Sequence, residues 1–534
     1  DLRRESGVTR LGRAGLDEPE IVDLIEGMAG QEIDGAGRAH AGQLQRETAG
    51  NPFFVGEMLR HLRETGAIAL DDDGRWSFAS PPLTRGPPQS VREVIGRRVA
   101  RLGAEARHLL GAAAVIGPEF DLDLLGRAAS LPPAEVLDLL DEAVAASLLT
   151  RQTGAAGQHV YAFSHGLVQA TLYAALTSGR RITLHRAVGR AIEAVDAGRL
   201  DRLPELAHHF LEATVDADSA RAGEYARRAG QQAMSQFAYD QAEALFARGL
   251  KVTPPDRPHD RIALLQGLGE AQMRGGDADA ARRTLLEAAA EARRHDEPEA
   301  LARATLGCGI WGLSFGVDQV LIGLAEEAIA GLKRSGRSRR LLAEVKGLLG
   351  AALYYAPAPE NERRHSLCAE AVALARAEDE RAGDRDSAAS LVYVLARALL
   401  AGWGPDSATG DLECAELLTL CHELGHGEIE TLARNWRTNL LFERGDFAGV
   451  DRELASIEHM ATELRQPRAI VFLPLHRGMQ AVVRGELVEA ERLNADSLRI
   501  GAGVRQSGSE LAATAQLLVI RLMQGRLPEL EQPL

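Results

Sequence analysis

The chain has 534 residues, a formal net charge of −15 and only 4% aromatic side chains. That acidity argues against a general nucleic-acid-binding surface. Four cysteines in so long a chain exclude a disulfide scaffold and suit a reducing, cytoplasmic setting, and no run of about 18 apolar residues is present to span a membrane.

The length allows three or more domains of roughly 150 residues. A composition rich in Ala, Leu, Arg, Glu and Gly favours helices packed through small residues. The sequence starts at Asp1 without a signal-peptide pattern, and we expect it to be a piece of a longer protein. Residues 1–15 are basic, with Val8 and Leu11 suited to a short strand. Asp17, Pro19 and Glu20 then supply an N-cap, a first-turn proline and a capping box. The helix behind them carries Ile21, Leu24, Ile25 and Met28 on one face, and a second helix is predicted from about Ala39 to Thr48.

Thr48-Ala49-Gly50-Asn51-Pro52-Phe53-Phe54-Val55 is the junction into a third helix. Gly50 and Asn51 tolerate left-handed backbone and stop one helix, and Pro52 suits the first turn of the next. Phe54, Val55, Met58, Leu59 and Leu62 give that helix a buried face, ending near Gly66. Such a start offers a rigid ring and backbone amides to a nucleotide base or phosphate, although spacing alone favours a plain helix–helix turn. Asp71 to Gly74 reads as a turn, Arg75 to Phe78 as a strand, and Pro81, Pro82, Pro87 and Pro88 as an extended linker. Ser90 caps a helix through Val91, Val94, Ile95, Val99 and Leu102, and another follows from Ala104 to Ile116.

Residues 118–190 read helix, helix, two strands, helix, helix. The first helix starts at Asp121, and Pro132-Pro133 precedes the second, whose stripe is Val136, Leu139, Leu140 and Ala143. Leu148 to Thr150 and His159 to Phe163 flank a Gly-rich tip and predict a β-hairpin, giving the helix–helix–wing order of a winged helix. Its candidate recognition helix, Ala134 to Ala146, is acidic through Glu135, Asp138, Asp141 and Glu142, which disfavours DNA. His165 follows the wing directly, at the start of a helix from Leu167 to Leu176. It suits either a backbone-capping histidine or a donor aimed at a diphosphate.

From about residue 200 the chain is helix after helix. Helix starts recur at Phe237-Ala238-Tyr239-Asp240, Gly275-Gly276-Asp277, Arg444-Gly445-Asp446 and Arg484-Gly485-Glu486. Neighbouring starts lie about 37 to 40 residues apart, which predicts degenerate helical-hairpin repeats stacked into a superhelix with a face for a ligand or partner. No Gly-x-x-x-x-Gly-Lys-Ser/Thr loop occurs, so this sequence carries no phosphate-cleaving machinery of its own. Cys414, Cys421, His422 and His426 match no zinc-ligand spacing, and Cys414, Leu417, Leu418 and Cys421 read as an apolar stripe. His208-His209 reads as a packed helix turn, and Arg334 to Arg340 as a solvated helix end.

Taken in order, these segments resemble one family. Thr48 to Leu59 is similar to the T-G-G-N-P-F-F-V-x-E-L-L segment of large bacterial STAND ATPases. These include large ATP-binding LuxR-type transcription regulators, relatives of the maltose regulator, and ATPases fused to nucleotide cyclase domains. Phe163 to Tyr173 resembles their F-x-H-x-L-V-x-x-x-L-Y segment, Arg180 to His185 their R-R-x-x-L-H, and Leu206 to Phe210 the entry to their repeat arm. The match covers about residues 1–250, with the remainder matching as degenerate repeats.

The resemblance implies a mainly α protein: the end of an ATPase core and a helical lid over 1–118, a winged helix domain over 119–200, and a tetratricopeptide-like α-superhelix over 201–534. It implies that Pro52, beside Asn51, packs on adenine and that His165 contacts the ADP phosphate, with Gly166 departing from the Met-His-Asp pattern of related ATPases. ATP or ADP, with Mg in the full-length parent, would be the cofactor. The Walker A and B segments would precede Asp1, so the parent would be a slow ATPase switch that this chain cannot run alone. An inducer molecule or protein would bind the arm, the active parent would self-oligomerise, and DNA would be met only through a domain outside this sequence. Two rivals remain: a non-enzymatic helical-repeat scaffold, and a DNA-binding regulator acting through its own wing.

Overall fold

The computed structural model describes residues 15–48, 50, 52–64, 68–70, 76–78, 91–153, 159–196, 202–213, 218–309, 316–401, 407–463, 470, 472–503 and 507–531. The expected strand at Val8 and Leu11, the candidate Asn51, the prolines from Pro81 to Pro88 and the cap at Ser90 lie outside them. The described residues are mainly α-helical, and the chain divides into two compact units, Asp1–Asp218 and Ser219–Leu534.

The first unit opens with α1 (Glu18–Ala29), α2 (Gly35–Thr48) and α3 (Pro52–Glu64). The capping box forms as the residue types require: Glu20 N–H donates to Asp17 Oδ1, and Asp17 N–H donates to Glu20 Oε2, both at 2.9 Å. Ile21 and Ile25 of α1 meet Leu44 of α2 and Val55, Met58 and Leu59 of α3 in one core. Two three-residue strands follow, β1 (Ile68–Leu70) and β2 (Trp76–Phe78), paired antiparallel with Leu70 opposite Trp76. Gln31, just after α1, clamps this pair, its side-chain amide bonding both the carbonyl (3.0 Å) and the N–H (3.2 Å) of Trp76. Helix α4 spans Val91–Arg101.

Next come α5 (Ala104–Ile116), β3 (Glu119–Asp121), α6 (Leu122–Ala129), α7 (Pro133–Ala145), β4 (Leu149–Thr153) and β5 (His159–Phe163). The three strands form an antiparallel sheet in the order β3-β5-β4, with Tyr161 opposite both Phe120 and Arg151. This is the helix–helix–hairpin order expected from the sequence, plus a first strand that periodicity did not reveal. Asp121 explains why: it ends β3 and caps α6 at once, its Oδ1 accepting from Leu124 N–H at 2.7 Å. The unit closes with α8 (Gly166–Ala175), α9 (Ser178–Asp196) and α10 (Leu203–Glu212).

The second unit is a run of helical hairpins. Its first helices are α11 (Ser219–Ser235), α12 (Tyr239–Val252), α13 (Pro258–Gly275), α14 (Ala278–Arg294), α15 (Pro298–Cys308), α16 (Gln319–Ser335) and α17 (Arg339–Ala352). The pattern continues to the helix Ser507–Met523. Each helix packs on its sequence neighbour, and α11, α13, α15 and α17 also pack on one another in succession. That second set of contacts is what makes a stack of hairpins rather than a string of them.

The turns share one geometry. Gly276, Gly445 and Gly485 are left-handed at φ 97°, 72° and 79°, and Phe237 takes the same place at φ 60°. In each, the following residue donates its N–H back five positions: Asp277 to Gln272, Asp446 to Leu441, Glu486 to Ala481 and Ala238 to Ala233, at 2.8–3.0 Å. These are glycine-type helix caps, and Phe237 shows that the repeat tolerates an aromatic there at the cost of a left-handed side-chain-bearing residue. No described helix is long and apolar enough to cross a membrane.

Candidate functional site

Pro52 is the first residue of α3 and is exposed. Gly50 before it has φ +71°, and its carbonyl accepts from Leu16 N–H at 2.7 Å. A Cβ at Gly50 would lie 2.0 Å from the Leu16 carbonyl oxygen, so the backbone just ahead of α1 occupies the space where a side chain would stand. The junction's glycine is therefore required by a close approach of two chain segments as well as by its left-handed turn.

His165 stands at the N-cap of α8, exposed, one residue after the end of β5 is pinned by Phe163 N–H to Pro118 O and Ser164 N–H to Leu148 O, each 3.0 Å. Its Nδ1 accepts from Leu167 N–H at 3.1 Å. An imidazole nitrogen that accepts carries no proton, so the neutral ring keeps its hydrogen on Nε2, and Nε2 is a donor. Pro52 and His165 sit at the N-termini of separate helices, and α4 packs against both α3 and α8. On α7, Glu135, Asp138, Asp141 and Glu142 are exposed, and Asp141 pairs with Arg151 of β4 at 2.7 Å. That acidic face repels a phosphate backbone.

The structure assembles a second group of residues that spacing did not join. His185 of α9 and His209 of α10 are both 1% exposed, and their Nδ1 atoms are 3.0 Å apart. His185 Nε2 lies 3.0 Å from the Tyr173 hydroxyl of α8. His208 is exposed beside them, its ring centroid 5.5 Å from that of His185 and 5.3 Å from that of His209. One ring nitrogen from each of the three lies within 4.8 Å of the other two.

Local sequence explains the approach of the helices. Gly189, one turn beyond His185, leaves room for the Phe210 ring, which a Cβ there would meet at 3.1 Å. Phe210 is fully buried and adjoins His209, so seating this ring seats the histidine. Arg181 lies over the Tyr173 ring at 5.6 Å. Burial, and then the neighbouring His208, push His185 down to about 4, while burial and then His185 push His209 down to about 3. Both are neutral at pH 7.

The remaining sequence candidates have plain structural roles. Cys414 and Cys421 are buried with Leu417 in one apolar cluster, and burial pushes the Cys421 thiol up to about 12. His422 is exposed and His426 precedes the helix Gly427–Glu443, so the two cysteines and two histidines form no ligand set among the described residues. Arg339 and Arg340 pair with Glu378 (3.3 Å) and Asp386 (3.5 Å) as an ion-paired helix start.

No protein-family model matches the chain, and no curated protein matches it. Among solved structures, it is similar to a signal transduction ATPase with numerous domains (STAND) from Pyrococcus horikoshii that carries a tetratricopeptide repeat sensor. The identity is 12%, covering 96% of this chain and 76% of that one, with a TM-score of 0.36. It is also similar to a Rap protein complexed with competence and sporulation factor, at 10% identity over 66% of this chain and 87% of that one, again with a TM-score of 0.36. Superpositions this loose identify no family for the chain.

Proposed function

We propose that this chain is the sensing portion of a nucleotide-switched signal-transduction ATPase or transcription regulator. Its first unit would respond to ADP through Asn51, Pro52 and His165, and its repeat arm would take an inducer or protein partner. The observation that carries this reading is the position of His165: an imidazole at the exposed start of α8, its ring oriented by Leu167 N–H donating to Nδ1. A donor beside helix-terminal amides suits a diphosphate. On the arm, the exposed Phe237, edge-to-face with Tyr239 and bordered by Asp240 and Arg274, lines an open cleft suited to a partner side chain. Ligand on the arm would shift the population toward an ATP-bound, self-associating state, and DNA contact would belong to a separate domain.

The test uses the full reading frame and two substitutions that separate cap from ligand. His165→Asn keeps an N-cap acceptor but removes the imidazole, whereas His165→Ala removes both. Faster ADP release in both variants supports direct contact. Faster release in the alanine variant alone reduces His165 to a cap, and unchanged release in both removes the role.

A second reading is a non-enzymatic helical-repeat scaffold. It is favoured by the Gly50–Leu16 contact, which gives the motif glycine a structural reason without nucleotide. ADP and ATP that leave the melting temperature and partner affinity of the full reading frame unchanged would support it.

A further inference from the structure

We propose that His185, His208 and His209 form a three-histidine site for a divalent transition-metal ion of the zinc type, with a fourth position open to solvent. The inference goes beyond the nucleotide reading and does not depend on it. Three ring nitrogens from two helices converge within 4.8 Å of one another. The 3.0 Å between the two Nδ1 atoms is close to the roughly 3.3 Å that separates two nitrogens on a tetrahedral zinc with bonds of 2.0–2.1 Å. A metal between His185 and His209 takes the place of the single proton that must otherwise sit between two facing lone pairs. That proton moves to an Nε2 or to solvent as the metal binds.

The surroundings are those of a supported site. Tyr173 holds the far nitrogen of His185 at 3.0 Å, the kind of outer contact that orients a ligating imidazole. The tight seat of Phe210 against Gly189 fixes the neighbouring His209. His208 is exposed, so the third ligand and the open position face water, and an entry path exists. Three imidazoles and no carboxylate favour zinc, cobalt, nickel or copper over magnesium or calcium. Arg181 and Arg202 bring positive charge near the cluster, and Glu212 brings a negative one. Bound metal would tie α9 to α10 within the first unit.

The experiment is a titration of the whole chelator-treated chain with Co²⁺, read by visible absorption, followed by Zn²⁺ competition. The wild-type chain should take up one Co²⁺ with the intense bands of four-coordinate cobalt, and lose them to Zn²⁺. His208→Ala, at an exposed position that leaves the buried pair intact, should lose one-to-one binding while melting as the metal-free wild type does. Tyr173→Phe should weaken Zn²⁺ binding about 10-fold. Zn²⁺ should also raise the melting temperature of the wild-type chain and not of His208→Ala. Wild-type spectra showing only weak six-coordinate bands, or unchanged Co²⁺ binding by His208→Ala, would overturn the proposal. A thiolate charge-transfer band lost in Cys414→Ser would move the site to the cysteines and equally overturn it.

Discussion

Phe246 of α12 is held between two glycines: a Cβ at Gly230 of α11 or at Gly267 of α13 would stand 2.6 Å from its ring. The ring is 1% exposed, and ordinary carbon contacts are about 3.5–4.0 Å, so an added methyl demands a shift of roughly 1 Å. Gly267 approaches the same edge of the ring from α13, so a ring that yields to a methyl on α11 has little room beside α13. Gly230→Ala gains about 1 kcal/mol of helix propensity and loses about 1–3 kcal/mol to overpacking, a net destabilisation of about 1 kcal/mol. Gly323 is the control: it lies exposed within α16 with nothing within 4 Å of an added Cβ. There the propensity gain stands alone, and Gly323→Ala should stabilise by up to about 1 kcal/mol. The assay is urea unfolding of the whole chain followed by hydrogen exchange on peptides from α11 to α16, because a repeat stack need not unfold in one step. Peptides around α11–α13 should lose protection in Gly230→Ala, and replacing Phe246 with Leu in that background should restore part of it. Equal shifts of the same sign at Gly230 and Gly323 would refute the idea that small residues set the hairpin spacing.

Gly50→Ala should destabilise the first unit by about 2–3 kcal/mol, from left-handed strain and the clash with the Leu16 carbonyl at 2.0 Å, while Gly56→Ala, with open space around it, should not. Thermal melts of the two variants decide this, and equal melting temperatures would contradict the close approach. Acid should act through buried histidines. His185 and His476 are lowered from 6.5 to about 4 and His209 to about 3, so the unfolded chain takes up these protons first. Stability from each is complete above about pH 6.5 and is lost as pH falls toward the folded value, by about 2 kcal/mol at pH 5 for His476. Urea midpoints at pH 7 and pH 5 for wild type and His476→Gln test it, and the variant should lose less on acidification.

Within single elements, much of this fold is legible. The Asp17–Glu20 box, the α5 limits at Ala104 and Ile116, and the stripe of Val136, Leu140 and Ala143 all follow from residue types at fixed offsets. The repeat turns were equally readable, including Phe237 in a glycine's place, because one cap recurs at each. What escaped were β1 and β3: β2, of the same length, declares itself by Trp76 and Phe78, whereas β1 is Ile-Ala-Leu without an aromatic or polar alternation and β3 ends in the Asp121 that caps α6. Helix α2 begins at Gly35, earlier than expected, because Asp34 accepts from Gly37 N–H at 2.8 Å and starts it despite two glycines.

The histidine cluster shows why a site is harder to read than a stripe. Cys414 and Cys421 share one helix, so helical phase alone identifies them as core. His185 and His209 are 24 residues apart on different helices, and only the packing of α9 on α10 brings them together. His208 and His209 are about 100° apart around α10, so His209 enters the core while His208 stands at its exposed edge, close enough for both rings to reach His185. A packed helix turn describes His209 correctly, yet it leaves out that the core it enters already contains another imidazole. No helical periodicity encodes that encounter. In the same contact between α9 and α10, Gly189 admits Phe210, two residues with no ionisable group, beside the pair whose Nδ1 atoms face each other at 3.0 Å. If that contact sets the histidine pair, Gly189→Ala should disturb the cluster without touching any of its nitrogens.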